Sequence, residues 1–306
     1  MINRKNWGEL MLLVTGGTGM SGAAVIREFA RRGIPVRALV RSDDKARALA
    51  AMPTVEPVVG DMLRPETLRA ALQDVHRVLM ISSPRERMVD TQCTFIDAAK
   101  AAGVPHIVKF SGKESGVGFD AEVFRGTRQH GQIEQHLERS GLAWTHLRPS
   151  QFMQFYLPGT LTGVDADERA LVLPAGASRL APVDIEDIAK VCVALMTGEG
   201  HEGRSYDMTG PEALTMHEVV ERITAATGVP HRYREVSPEE YRRRLTAAGH
   251  PQGTVDLLDE LFAERRRRPD SELRLGAHRR FGVEPTTLAQ FATRNAAAFL
   301  TPALAA

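Results

Sequence analysis

Short apolar runs alternate with amphipathic stretches through the first half of the chain. Residues 11–15 read as a buried strand, followed by a helix over 22–32, a strand over 36–40 and a helix from about 44 to 52. Strands are expected at 55–59 and 78–81, with a helix over 65–72 between them. A helix over 90–102 leads into a strand at 106–111, and one over 128–140 into a strand at 143–147. Strands that are apolar nearly throughout have no solvent face, so the pattern predicts a parallel sheet covered by helices on both sides. Right-handed crossovers then make it a doubly wound α/β fold. Beyond Arg148-Pro149 the rhythm loosens. Short strands at 171–173 and 205–208 bracket a helix starting near Asp184, and helices follow at 217–227, 238–248, 254–267 and 286–299. The expected organisation is a core over 11–150, with 151–306 finishing the sheet and adding a smaller, mostly helical lobe at the strands' carboxyl ends.

Composition narrows this only a little. The 306 residues carry a formal charge of +1, which provides no global field for nucleic acid or an anionic membrane. No run approaches the roughly 18 apolar residues of a membrane span. The opening Met1 to Leu10 contains Arg4, Lys5 and Glu9 and no apolar signal core, so it reads as a short leader of a cytoplasmic protein. Cys93 and Cys192, the two cysteines, lie in apolar periodic stretches and read as small buried hydrophobes of a reducing compartment.

Chemistry first appears between the first strand and the first helix, at Thr15-Gly16-Gly17-Thr18-Gly19-Met20-Ser21-Gly22. Gly16 permits a tight turn, Gly19 lets backbone N–H groups approach a pyrophosphate, and Gly22 allows close helix–sheet packing. The positive end of the helix faces the phosphates. In this position the loop predicts a Rossmann dinucleotide site. The end of the second strand then selects the nucleotide. An NAD site places an acid there for the ribose hydroxyls, whereas this chain has Val40-Arg41-Ser42, with Arg37 also on the strand. Arg41 offers a planar fork of donors for a 2′-phosphate and Ser42 a hydroxyl, so NADP(H) is expected over NAD(H). Asp43 and Asp44 read as caps of the next helix. Asp61, after Gly60, reads either as a carboxylate near the adenine amino group or as a plain turn residue. Ser82, Ser83 and Pro84 are expected beside the nicotinamide-side ribose.

These features resemble the NmrA-like branch of the atypical short-chain dehydrogenases/reductases. The resemblance rests on the glycine loop, Val58-Val59-Gly60-Asp61, the stretch SGLAWTHLRPSQFMQ at 140–154 and FGVEPTTLAQFATRNA at 281–296. It implies a Rossmann domain with a small substrate lobe. Members include NADPH-dependent quinone and dye reductases and also NADP-sensing regulators. The wider superfamily uses Tyr-x-x-x-Lys, in which the tyrosine is the general acid and the lysine depresses its pKa. The tyrosines at 156, 206, 233 and 241 all lack a lysine four residues later. Matching Glu134 to the glutamate four beyond the family lysine puts Gly126 in place of the tyrosine and His130 in place of the lysine. His130 then reads either as a ribose ligand and proton donor or as a helix-surface histidine. Ser111 matches the supporting serine, with local backbone capping as its alternative, and Lys113 reads as a rim or solvated lysine. The resemblance also brings Pro149, Ser150, Gln151 and Phe152 past the nicotinamide, their backbone groups binding the carboxamide. Phe152 and Met153 then begin an apolar wall that Phe155, Tyr156 and Leu157 extend or else bury in the core.

Other chemistries find no foothold. His130 and His136 are six apart, off one helical face, and no His-Glu-x-x-His or Gly-x-Ser-x-Gly occurs. Arg265, Arg266, Arg267 and Arg268 are surrounded by acids and read as a solvated helix end rather than a nucleic-acid patch. The expected activity is an NADPH-dependent reduction of a small conjugated or quinone-like molecule by direct hydride transfer, with water or His130 supplying the proton. Two alternatives stay open: a redox sensor acting through a protein partner, and an oxidoreductase of specialised metabolism. No nucleic-acid or membrane partner is expected. A homodimer or a regulatory protein partner is compatible with the sequence.

Overall fold

The computed structural model describes residues 10–83, 87–112 and 119–300. The leader at 1–9, Pro84 and Lys113 lie outside them. Its elements are β1 (Met11–Val14), α1 (Met20–Arg31), β2 (Val36–Val40), α2 (Asp43–Ala50), β3 (Val55–Val59), α3 (Arg69–Leu72), β4 (Val75–Met80), α4 (Met88–Ala101), β5 (His106–Phe110), α5 (Arg125–Arg139) and β6 (Ala143–Pro149). Then follow β7 (Val164–Asp165), β8 (Ala170–Leu173), α6 (Ile185–Thr197), β9 (Arg204–Met208), α7 (Met216–Thr227), β10 (Arg232–Glu235), α8 (Pro238–Ala247), α9 (Gln252–Arg267), α10 (Gly276–Phe281), α11 (Leu288–Arg294) and α12 (Ala296–Leu300).

Seven parallel strands form the main sheet in the order β3-β2-β1-β4-β5-β6-β9. This is the doubly wound arrangement the pattern predicts. The strand order changes direction between β1 and β4, the kind of switch point at which open α/β sheets bind their ligands. Alternate residues of β1 feed two cores, as a strand's twofold period requires. Leu12 and Val14 pack with Val25, Ile26 and Phe29 of α1 and with Ile188 and Leu195 of α6. Leu13 turns the other way, toward Phe95 and Ile96 of α4 and Ile133 and Leu137 of α5. A third core, built around Tyr156, Leu171, Ile223, Phe262 and Phe291, holds the C-terminal lobe. Pro57, which cannot donate to a ladder, falls on edge strand β3. Among the described residues no helix is long and apolar enough to cross a membrane.

Several local expectations differ from what forms. The helix expected over 65–72 is a 3-10 turn, Pro65–Thr67, followed by the single turn of α3. The helix expected over 286–299 breaks at Asn295 into α11 and α12. Asp43 and Asp44 are not caps. Ser42 is the N-cap of α2, and both acids lie in its first turn, where they complement the helix dipole. A second sheet, β10-β8-β7, pairs β10 with β8 in parallel.

At the amino-terminal edge of the sheet, His106 of β5 is buried and its Nε2 meets Thr145 Oγ1 at 2.9 Å. Burial, reinforced by Arg77 and opposed by Glu202, pulls its pKa down to about 4. Between the unfolded value of ~6.5 and this one, the unfolded chain binds a proton that the native chain refuses. Stability therefore declines as pH falls through that window, by roughly 3 kcal/mol for this group. Urea unfolding at pH 7.5 and pH 5 is expected to show a smaller pH-dependent loss in His106→Gln than in the parent. Equal losses would remove His106 from the account.

Candidate functional site

The crevice begins where Thr15 leaves β1. Its hydroxyl donates to the Ile81 carbonyl at 2.7 Å and accepts from the Ile81 amide at 2.8 Å, locking the end of β1 to the end of β4. Gly16 then takes a left-handed turn with φ +64°, and a Cβ there would lie 2.9 Å from the Ile81 carbonyl oxygen. The Gly19 amide closes the turn on the Gly16 carbonyl at 2.9 Å. A Cβ on Gly22 would collide with that same carbonyl oxygen, so the third glycine admits the loop against α1 rather than α1 against the sheet. Gly17 is the glycine that meets the sheet, 3.3 Å from Ala38 Cβ. No side chain caps α1 and no acid occupies its first turn. The cradle and the open, positive helix end fit a pyrophosphate.

Arg41, just past β2, is exposed and takes part in no hydrogen bond or ion pair among the described residues. Beside it the Ser42 hydroxyl makes no capping bond to α2. Both are available to a 2′-phosphate. Arg37 is not: it is buried, donates to the carbonyls of Ala70, Ala71 and Gln73, and pairs with Glu56 at 3.1 Å. Asp61 accepts from the Leu63 amide at 3.0 Å, so it serves its turn. Ser82 accepts from buried Gln92 of α4 at 2.8 Å, and Ser83 is exposed beyond β4.

On the other side of the switch point a polar chain runs beneath the ends of β5 and β6. Ser111 donates to Glu134 Oε1 at 2.6 Å, and Arg148 grips both Glu134 oxygens, Nε at 2.9 Å and an Nη at 2.7 Å. Burial favours a protonated Glu134, but Arg148 and Ser111 outweigh it and hold the pKa down to about 2. Lys109 of β5, with 0% exposure, donates to Ser111 at 3.3 Å and meets His130 Nδ1 at 3.0 Å. Burial pulls its pKa to about 7 against the attraction of Glu134. Burial first, and Lys109 second, hold His130 well below its usual value. His130 is half-buried, and its Nε2 lies 3.1 Å from where a Cβ on Gly112 would stand. One turn earlier, a Cβ on Gly126 would meet the Phe124 ring at 2.6 Å. The Phe124 ring therefore crowds the position that any side chain at residue 126 would enter.

Pro149, Ser150 and Gln151 are bound into the fold more firmly than expected. The Ser150 amide continues the ladder to Met208 at 2.8 Å and its hydroxyl donates to Ala181 at 2.6 Å. The Gln151 carbonyl accepts from Val183 at 2.8 Å, and its side-chain oxygen accepts from Arg265. The Ser150 amide and the Gln151 carbonyl thus each carry a bond within the fold. Phe152 is half-buried and stacks on exposed Phe155 with centroids 5.2 Å apart. Met153 and Tyr156 belong to the lobe core. Helix α9 borders this region. Its Glu260 grips Arg125, its Glu264 accepts from the Asp120 amide at 2.9 Å, and Arg265 reaches Gln151. Arg265 is buried, which corrects the expectation of a solvated arginine run. Arg266, Arg267 and Arg268 are exposed, the last two paired with buried Glu264.

Lys109, Arg148 and Arg265 escaped the sequence reading. Lys109 carried a usable signal, because a lone charge inside the apolar run Ile107-Val108-Lys109-Phe110 has no solvent face and must find a partner.

A doubly wound sheet and a glycine cradle at its switch point, with an arginine past β2 that has no partner among the described residues, together define a dinucleotide-binding Rossmann protein. Residues 16–199 match the family model described as NAD(P)H-binding, and the chain belongs to that family. It is 37% identical over 253 residues to the NAD(P)H azoreductase of Xenophilus azovorans, covering 83% of this chain and 86% of that one. It is 36% identical to the (4-alkanoyl-5-oxo-2,5-dihydrofuran-3-yl)methyl phosphate reductase of Streptomyces griseus, with 84% and 87% covered. Among solved structures, the NADPH complex of an Escherichia coli NADPH-dependent quinone oxidoreductase superposes with a TM-score of 0.81 at 27% identity, covering 93% of this chain and 99% of that one.

Proposed function

We propose that this chain is an NADPH-dependent reductase of small conjugated acceptors of the quinone, azo-dye or enone kind. What supports the reading is the cleft floor: the family motif puts Gly126, crowded by Phe124, in the place of the tyrosine acid, while His130 packs beside Gly112 just past β5. An acceptor that spreads incoming negative charge over a conjugated system needs less help from an acid than a simple ketone does. Reductases of an azo bond, a butenolide and a quinone, all conjugated, are the relatives that support this choice. The nucleotide supplies the hydride. Gly16, Gly17, Thr18, Gly19, Met20, Ser21 and Gly22 would cradle its pyrophosphate, Arg41 and Ser42 its 2′-phosphate, and Asp61 would border the adenine. Ser82 and Ser83 flank the ribose side. Phe152 and Phe155 offer a flat apolar surface on which an aromatic acceptor can be oriented. Residues 11–150 carry the nucleotide and 151–306 complete the substrate side. Two cysteines without a disulfide suit the cytoplasm.

The test is loss of NADPH absorbance with a panel of quinones, azo dyes and enones. Turnover of at least one class is expected. No turnover with any, alongside tight NADPH binding, would replace the reductase with a regulator that reads nucleotide occupancy. Arg41→Ala is expected to weaken NADPH by roughly 10- to 100-fold, as the loss of a charge-assisted contact does, and to leave NADH nearly unchanged. Equal losses for both nucleotides would take the 2′-phosphate away from Arg41.

A further inference from the structure

We propose that Lys109 is the positioning residue of this cleft: by donating to His130 Nδ1 it holds the imidazole as the Nε2–H tautomer, so that His130 presents an N–H donor at the carboxyl end of β5. The chemical consequence rests on the reductase reading above. The tautomer itself does not.

An ammonium has three donors and no acceptor, so below about pH 7, where Lys109 is charged, its 3.0 Å contact with His130 Nδ1 makes Nδ1 the acceptor. The proton of the neutral ring then belongs to Nε2, which lies beside Gly112, just past the end of β5. Lys109 is itself held in place. It is wholly buried, donates to Ser111, and through Ser111 joins the Glu134–Arg148 pair. The titratable and charged groups around it are His130 and Glu134 from α5, Arg148 from β6, and Cys93 from α4. His146 of β6 also feels its charge. Glu134 favours the ammonium more than Cys93 does, and it is kept ionised by Arg148. Burial and the adjacent ammonium keep His130 neutral near pH 7, where it can both give and accept a proton.

This geometry permits a balanced proton transfer. As the acceptor gains a hydride, the Nε2–H bond breaks and its proton bonds to the anionic heteroatom of the reduced acceptor. Nδ1 takes a proton from the Lys109 ammonium, leaving a neutral amine and a neutral imidazole of the other tautomer. A solvent proton arriving at Nε2 returns the Nδ1 proton to Lys109 and restores the starting state. The net proton comes from water. Lys109 never touches the acceptor.

The experiment combines ring-nitrogen NMR of the full chain, labelled with 15N-histidine, and steady-state kinetics. The His130 signals are identified by their disappearance in His130→Gln. In the parent, His130 Nδ1 is expected to show a pyridine-type shift and Nε2 a pyrrole-type shift. A pyrrole-type Nδ1 overturns the proposal, whatever any variant does. In Lys109→Met the preference for Nε2–H should be lost. kcat should drop about 100-fold, within the range that general acid catalysis contributes, while NADPH affinity is kept. The parent's kcat should decline as pH rises past about 7, where the ammonium discharges, and that limb should be missing from Lys109→Met. An unchanged tautomer or an unchanged alkaline limb in Lys109→Met also overturns it. A parent that reduces no acceptor defeats the reductase reading, while the ring shifts still decide the tautomer.

Discussion

Gly22→Ala is expected to weaken NADPH binding by at least about 100-fold, or ~2.8 kcal/mol at ~1.4 kcal/mol per tenfold. A methyl group at residue 22 would occupy the place of the Gly16 carbonyl oxygen, and that carbonyl is not free to yield. It accepts from the Gly19 amide, and Gly16 itself is wedged against the Ile81 carbonyl, which Thr15 holds. Either the loop lifts away from α1 or α1 starts later. Both outcomes disperse the amides that would surround the phosphates. Overpacking of this kind also costs about 1–3 kcal/mol of stability. Gly131→Ala is the control: residue 131 lies within α5, a Cβ there meets nothing within 4 Å, and alanine should raise stability by ~0.5–1 kcal/mol. Calorimetric titration of NADPH into both variants checks the pair. Parental affinity in Gly22→Ala would mean that the loop is not the phosphate cradle.

The second large effect concerns Arg148→Met. Glu134 is buried, and the two-pronged grip of Arg148 is what opposes the cost of keeping its charge away from water. Removing one partner of a buried pair costs about 3–5 kcal/mol, because the other charge stays behind. Adding Glu134→Leu to the same chain should recover much of that loss, since the stranded charge goes with it. The pH dependence has a definite sign. Glu134 titrates near 2 in the folded chain and ~4.3 unfolded, so its contribution is complete above the unfolded value and disappears as pH falls toward 2. In Arg148→Met burial loses its main counterweight and the Glu134 pKa rises, so this acid loss should shrink or reverse and the gap between variant and parent should narrow as pH falls. Urea unfolding across pH 3–7 measures both effects. A cost below 1 kcal/mol would mean that water, not Arg148, satisfies the carboxylate.

What could be read along the chain was local, and what could not was assembled from distant residues. The central strands were legible because burial on both faces leaves no polar positions to confuse the pattern. Only their ends slipped: β4 starts at Val75, ahead of its apolar run, because Val75 and Arg77 stay paired with β1 while the register shifts past His76. β10 was invisible, since Tyr233 is its one buried residue among Arg232, Arg234 and Glu235, and its partner β8 lies some sixty residues earlier. The glycine loop and Arg41 lie in short, continuous segments, so their chemistry travels with their spacing. Lys109 and Arg148 have meaning only through α5, which brings His130 and Glu134 to them. Even Arg265, which looked like one of four equivalent surface charges, is set apart only because α9 turns it toward Gln151.

The packing of α6 on α1 bears on how the chain is made as well as on how it rests. When residue 150 has been polymerised, β1–β6 are all present, yet Val25, Ile26 and Phe29 of α1 still lack the helix that covers them. That helix ends at Thr197, so at ~5–20 residues per second the nascent chain carries an open apolar face for several seconds. During that interval the half-built sheet is a natural client for a ribosome-associated chaperone. A chain truncated before α6 should accumulate in the insoluble fraction rather than as a small soluble nucleotide binder.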